Sequence, residues 1–274
     1  MDKKDRVAIL YSGGTDSTCT AAMISERFGS VHMLTLKRLG FYSIENTFRN
    51  VDILRKKFPA VKFLHKIIDT DRLARYIARQ DFARKIFRYG FFTLSNCLIC
   101  GLINHFAALI YCLDNSISNV ADGSTREWSF FPTHMEKIIL ELKSMYAEFN
   151  INYDTPVYDF NLPKHPRFID KILPMDQLKD EQEGQNTTGE YLFKLGILPF
   201  SNLKGSVIDH NMQPRCFQFV LHHIYVFWFF MARHNYDDYE EIVLDFFKYS
   251  ISRFVKCFND NPEQLKKLIS YSHY

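Results

Sequence analysis

Val7-Ala8-Ile9-Leu10-Tyr11-Ser12-Gly13-Gly14-Thr15-Asp16-Ser17-Thr18 sets a short apolar run directly against two glycines and then a segment of helical character. The run VAILY is continuous and uncharged, as in a strand buried on both faces. Adjacent glycines let the backbone turn sharply and bring N–H groups close to an anion. Ser12 and Ser17 add hydroxyl donors, and the helix expected over residues 17–28 adds the partial positive charge of its start. Phosphate or pyrophosphate is the ligand this turn favours. For Gly-Gly alone, a tight turn with an Asp or Ser helix cap is the plainer reading and needs no ligand. The complete strand-loop-helix pattern favours the anion.

Outward from this loop, apolar runs at 31–36 (VHMLTL), 61–68 (VKFLHKII) and 118–122 (SNVAD) read as further strands. Helical segments are expected at 44–58, at about 97–113, and from Pro132 to about residue 149. Strands separated by helices of this size predict βαβ crossovers and a parallel sheet covered on both faces, hence an α/β fold. Pro163, Pro166 and Pro174, followed by the polar KDEQEGQNTTGE, predict a connection after residue 160. Aromatic helices at 191–195, 216–232 and 239–257 and a short tail helix come next. The expected organisation is an α/β domain over 1–160 and a smaller helical region over 161–274.

Composition narrows the function. The 274 residues carry 34 Lys+Arg against 31 Asp+Glu, a net charge of +3, which does not diagnose a nucleic-acid partner. With 47% hydrophobic and 24% charged residues the chain is globular rather than disordered. The 26 Phe and 15 Tyr are in excess, chiefly as core. Val7 to Tyr11 is too short for a secretory h-region, and residues 216–232 contain Gln218, His222 and His223 and fall short of a span of about 20 residues. A buried helix and a reducing, cytoplasmic setting are expected, so six cysteines need not mean disulfides.

The loop resembles the SGGxDS loop of the PP-loop ATP pyrophosphatase superfamily; the spacing and lysine of a Walker A loop are missing. The resemblance covers about residues 5–160. It implies an adenine nucleotide α-hydrolase-like domain in which Ser12, Gly13, Gly14, Thr15, Asp16 and Ser17 cradle pyrophosphate. Such enzymes cleave ATP between the α- and β-phosphates and transfer AMP to a carbonyl or carboxyl oxygen, with Mg2+ neutralising the charge that builds up. Asp16 is a candidate metal ligand, and equally a helix cap. The turn at Thr35, Leu36 and Lys37 is where adenine is usually held; Lys37 is placed either on a phosphate or in solvent.

Cys97-Leu98-Ile99-Cys100 opens the helix at 97–113, with Ser95 or Asn96 available as N-cap. The i, i+3 spacing puts both sulfurs on one face near the positive end of the helix, which favours thiolates. A lone CxxC fits zinc, a cluster, a redox pair or core packing. With Cys216 as a distant third, the arrangement resembles the cluster-containing branch of PP-loop thiolases, the tRNA 2-thiocytidine and 2-thiouridine enzymes. That implies a [4Fe–4S] cluster on Cys97, Cys100 and Cys216, with one iron open to hydrosulfide. Asp122-Gly123 falls near the acidic turn of that branch, but the Gly-His-x-x-Asp-Asp form is absent. Two alternatives stand: a structural zinc completed by His222 or His223, and a catalytic pair carrying a persulfide. Cys19, Cys112 and Cys257 read as core, and His222-His223 as a buried pair.

The expected reaction is therefore ATP-dependent adenylation of a carbonyl oxygen followed by sulfur transfer to a nucleobase, with Asp16, Asp122, Cys97 and Cys100 as the catalytic groups. The acceptor is either tRNA or a free small molecule. Arg72, Arg75, Arg79, Arg84, Lys85 and Arg88, with Phe82, Phe87 and Tyr89, either track a phosphate backbone or form the solvated face of an amphipathic helix. An amidating ligase using ammonia, with zinc at the cysteines, is the alternative. Other partners implied are ATP, a sulfur donor and, left open, a second copy of the chain; no membrane is implied.

Overall fold

The computed structural model describes residues 5–90, 92, 96–160, 187–201 and 207–273. The chain begins with β1 (Arg6–Leu10), α1 (Thr15–Ile24), β2 (Ser30–Lys37), a short β3 (Phe41–Tyr42), α2 (Asn46–Lys57) and β4 (Lys62–Asp69). It continues through α3 (Asp71–Arg79), α4 (Phe82–Tyr89), α5 (Asn96–Asn115), β5 (Asn119–Ala121), α6 (Glu136–Ala147) and β6 (Asn152–Asp154). After residue 186 come α7 (Thr188–Lys194), α8 (Val207–His210), β7 (Arg215–Cys216), α9 (Phe217–Ile224), α10 (Tyr236–Asp260), α11 (Pro262–Lys266) and β8 (Ser270–His273).

Six strands form one sheet in the order β6-β5-β1-β2-β4-β8, parallel throughout except for the antiparallel β8 at one edge. The strand alternation explains the two-sided core. Ala8, Leu34 and Ile68 face a layer built from α3, α5, α6 and α10. Val7, Ile9, Val31, Met33 and Phe63 face the other layer with Val51 and Leu54 of α2 and Leu192 of α7. This is the α/β fold expected, with helices on both faces of a mostly parallel sheet.

The apolar α5 is the one described helix long and apolar enough to cross a membrane, and 78% of its most apolar window is buried inside the protein. Phe106 of α5 stacks on Phe254 of α10 with centroids 3.7 Å apart. Residues from before and after 160 thus share a hydrophobic layer. α10 starts on a reciprocal cap: Asp238 N–H donates to Asn235 Oδ1 at 2.8 Å and Asn235 N–H to Asp238 Oδ2 at 3.2 Å.

Four features differ from the expectation. β6 adds a fifth parallel strand after α6, too short and polar to read from NYD. The tail is helical only over α11 and then pairs with β4, where Ile67 and Ile68 give it an apolar edge. The segment 216–232 is broken into α9 and a wider π turn at Tyr225–Phe230, and it is not buried all round. His222, Val226 and Phe230 recur every four residues on the inner side, while Phe217 and Trp228 stay 66% and 76% exposed. Finally, the basic stretch forms two helices rather than one, because Asp81 takes a left-handed φ of 51° between them.

Candidate functional site

β1 lies between β2 and β5, so successive connections leave it in opposite directions and open a crevice at the strands' C-terminal ends, where ligands bind in open α/β sheets. Tyr11 to Gly14 crosses this crevice. Gly13 has φ +80°, and a Cβ there would stand 2.5 Å from the Met212 carbonyl oxygen. Its own carbonyl accepts Asn50 Nδ2 at 2.8 Å and Thr18 Oγ1 at 3.4 Å. Ser17 Oγ donates to the Gly14 carbonyl at 3.2 Å, accepts the Ser12 N–H at 3.3 Å and lies 3.1 Å from Ser12 Oγ. Gly14 N–H donates to Ser12 Oγ at 3.3 Å. The loop is thus curled around its own hydroxyls, with the start of α1 beside it.

Asp16 sits in the first turn of α1, and its Oδ1 accepts Thr188 Oγ1 at 2.6 Å. Thr188→Val should cost about 1–3 kcal/mol, read as a lowered denaturant midpoint, since it strips a buried donor from a carboxylate. The turn after β5 packs on the same helix start: a Cβ on Gly123 would lie 2.6 Å from Ser17 N. Asp122, expected among the catalytic groups, has its carboxylate turned into the core. It accepts Tyr153 OH at 2.6 Å and Ser124 N–H at 2.9 Å, and burial holds its pKa up. His105 Nε2 is 3.7 Å away, but burial lowers that imidazole to about 3, so it is neutral and no ion pair forms. Through its backbone oxygen, which accepts Thr20 Oγ1 at 3.1 Å, Asp122 braces α1.

Lys37 ends β2 with its side chain exposed and its carbonyl accepting both Thr70 N–H and Thr70 Oγ1. The inward cation is the next residue. Arg38 is 7% exposed, and its Nη2 donates to Gln218 Oε1 at 2.8 Å. In the basic stretch, Lys85 is likewise buried, its Nζ on the Ile77 carbonyl, and Arg88 grips Asp245 through two bonds of 2.9 and 2.8 Å. Arg72, Arg75, Arg79 and Arg84 remain exposed.

Cys97 and Cys100 occupy the first turn of α5, and Cys216 ends β7 opposite Phe41 of β3. All are free thiols. They lie close enough to act on one another: Cys100 and Cys216 add to burial in pushing Cys97 up to about 12, while Arg38 opposes the shift. Burial likewise raises Cys100. Desolvation therefore outweighs the helix start that was expected to favour thiolates. Cys97 Sγ donates to the Gln218 carbonyl at 3.7 Å. Among the described residues no three His, Cys, Asp or Glu side chains are grouped to hold a metal ion. His222 Nε2 faces Tyr239 OH at 3.4 Å, and His223 Nδ1 lies 2.7 Å from the Phe219 carbonyl. Ser95 and the Asn96 side chain fall outside the described residues. Cys19 and Cys112 are core, whereas Cys257 is half-buried and accepts Gln80 Nε2.

One strap joins the two sites. Gln213 Oε1 lies 2.7 Å from where a Gly14 Cβ would stand, and the Gln213 carbonyl accepts Asn46 Nδ2 at 3.2 Å. Cys216 follows three residues later, a reach of at most about 11 Å, and Gln218 then contacts both Arg38 and Cys97. Arg38, Asn46, Asn50, Thr188, Gln213 and Gln218 escape a reading of motifs. Only Asn50 left a signal, as a polar residue among the buried positions Thr47, Val51 and Leu54 of α2.

No family model and no curated protein matches the sequence. Among solved structures, one similar chain is described as a predicted subunit of tRNA methyltransferase from Methanocaldococcus jannaschii. It is 24% identical over 56% of this chain and 69% of that one, with a TM-score of 0.36. A likeness so partial bears on neither the substrate nor the activity of this chain.

Proposed function

We propose that the chain activates a carbonyl oxygen of a nucleobase with ATP and replaces it with sulfur, releasing AMP and pyrophosphate. The supporting observation is the strap from Met212 to Gln218, which touches the phosphate loop at one end and the cysteine site at the other. Adenylation and substitution at one carbon require the two sites to be neighbours.

In this reading the pyrophosphate of ATP lies on Ser12, Gly13, Gly14, Thr15, Asp16 and Ser17. It displaces the bonds that the two serine hydroxyls make to the loop. The acceptor oxygen attacks the α-phosphorus and pyrophosphate leaves. Hydrosulfide then adds to the carbon bearing the adenylate. AMP departs with the original oxygen, and the proton on sulfur goes to solvent. Magnesium would neutralise the phosphate charge, and Asp16, whose Oδ1 accepts Thr188 Oγ1, could hold it through the rest of its carboxylate. Exposed Arg72, Arg75, Arg79 and Arg84 are available to a tRNA acceptor. The buried Lys85 and paired Arg88 are not.

A [4Fe–4S] cluster is a separate proposal. Cys97, Cys100 and Cys216 would supply its donors in type and number, leaving one iron without a protein ligand, but as folded they are not grouped to hold a metal and would have to draw together. As placed, however, Cys97 keeps its proton on the Gln218 carbonyl, and the steps above do not depend on a metal. Iron and acid-labile sulfide analysis of anaerobically purified protein decides the matter. Stoichiometric iron that is lost in Cys216→Ser establishes the cluster; colourless protein with stoichiometric zinc removes it.

The reaction itself is tested by incubating the protein with ATP, sulfide and either tRNA or free nucleobases, followed by mass spectrometry. The expected product has one oxygen replaced by sulfur, formed together with AMP and pyrophosphate. An amino product made with ammonia would select amidation instead, and absence of acceptor-dependent pyrophosphate would leave only nucleotide binding.

A further inference from the structure

We propose that Arg38 is the anion-holding residue of the cysteine site, with a small, soft monoanion as its ligand. Resting on the sulfur-transfer reading, that anion is hydrosulfide. Arg38 follows directly on β2, at the same end of the sheet as the phosphate loop, and is 7% exposed. Nη2 is satisfied by Gln218, but the buried Nε has no hydrogen-bond partner among the described residues. Among the described residues no carboxylate pairs with it. Gln218 is neutral, so it satisfies one donor, and among the described residues the charge is left uncompensated. A guanidinium in that state is costly to bury, and an anion delivered to Nε removes the cost.

The surroundings choose the kind of anion. Cys97 and Cys100 lie within reach of the Arg38 charge, and Cys216 acts on both. Thiols are weak donors on polarisable atoms. They suit a sulfur anion better than phosphate, whose oxygens need the strong N–H and O–H donors that the glycine loop provides. The chain that contacts Arg38 through Gln218 also reaches the glycine loop through Gln213, five residues earlier. Arg38 thereby positions the nucleophile; no bond is made or broken until hydrosulfide adds to the adenylated carbon.

Equilibrium dialysis of the anaerobically purified full chain against radiolabelled hydrosulfide, without ATP, tests this. Saturable binding is expected, weakened by about tenfold or more in Arg38→Gln. Gln218→Glu should weaken it similarly, because a carboxylate beside the retained guanidinium takes the place of the anion. Thiocyanate should compete and phosphate should not. Melting temperature and ATP affinity, measured on each variant, identify any that failed to fold. Undiminished binding in both folded variants overturns the assignment, as does competition by phosphate and ATP in place of thiocyanate, which would put Arg38 on the nucleotide. Arg38-dependent hydrosulfide binding without any acceptor-dependent pyrophosphate release would remove the sulfur-transfer reading and keep the anion site; the converse would remove Arg38 alone.

Discussion

Alanine at position 13 should lower acceptor-dependent pyrophosphate release by about a hundredfold or more, while the far-ultraviolet circular dichroism stays that of the native sheet. Two effects coincide at this residue. Its φ of +80° lies where an L side chain costs about 1–2 kcal/mol, and the added Cβ would meet the Met212 carbonyl at 2.5 Å and Thr47 Cα at 3.0 Å. Both contacts are backbone, so neither can rotate away. Relief must come from moving the loop or the strap, and a shift of an ångström at a phosphate cradle is what costs two orders of magnitude. Gly14→Ala is the comparison. There φ is −70°, and the new Cβ meets the end of the flexible Gln213 side chain at 2.7 Å. A smaller loss of stability is expected at 14 than at 13. If Gly13→Ala kept more than about a tenth of the rate, less than 1.4 kcal/mol of barrier would have been lost, and the loop would not be the phosphate cradle.

Acidification should unfold the protein between about pH 6 and pH 5, well above the range in which carboxylates titrate. Burial lowers His32, His65 and His134 to about 4 and His105 and His222 to about 3. Below pH 6.5 the unfolded chain protonates these imidazoles while the folded chain does not. The unfolded state therefore binds more protons, and stability falls as pH falls from 6.5 towards the folded values. Each histidine contributes about 1.4 kcal/mol per pH unit in that window. Five acting together amount to roughly 7 kcal/mol per unit, comparable with the 5–15 kcal/mol that holds a typical domain together. Asp122 has the opposite sign, since its raised pKa favours the folded state at low pH, but it is a single group. At His134, whose Nδ1 lies 3.0 Å from Thr125 N and 3.2 Å from the Thr125 carbonyl, burial outweighs the carbonyl's support for the protonated ring. Urea midpoints at pH 7.5, 6.5 and 5.5 check the slope. A midpoint independent of pH across this window would mean the imidazoles are already charged or solvated in the fold.

Legibility in the sequence followed the range of the interactions. Val7 to Leu10, the glycine turn and the start of α1 are local features, and the repeated change of period from strand to helix specified a parallel sheet with covered faces. β6 and β8 were not legible, because three or four residues such as NYD and SYSH carry no pattern of their own and become strands only against Val120 or Ile68. The CxxC pair was visible as a pattern, but its protonation was not. A helix start favours thiolates, and the burial that overrides it is a property of everything packed on α5.

The sequence by itself determined the glycine turn after β1 and the α/β class, since both rest on the local pattern of strands, turns and helices. Tertiary structure decided which of two adjacent cations faces inward, leaving Lys37 in solvent and burying Arg38. It also decided that Cys216, more than a hundred residues from Cys97, returns to it through the pairing with Phe41. The reason is physical. A turn's geometry is set by the steric freedom of its own residues, whereas burial and charge compensation depend on neighbours that only the folded chain supplies.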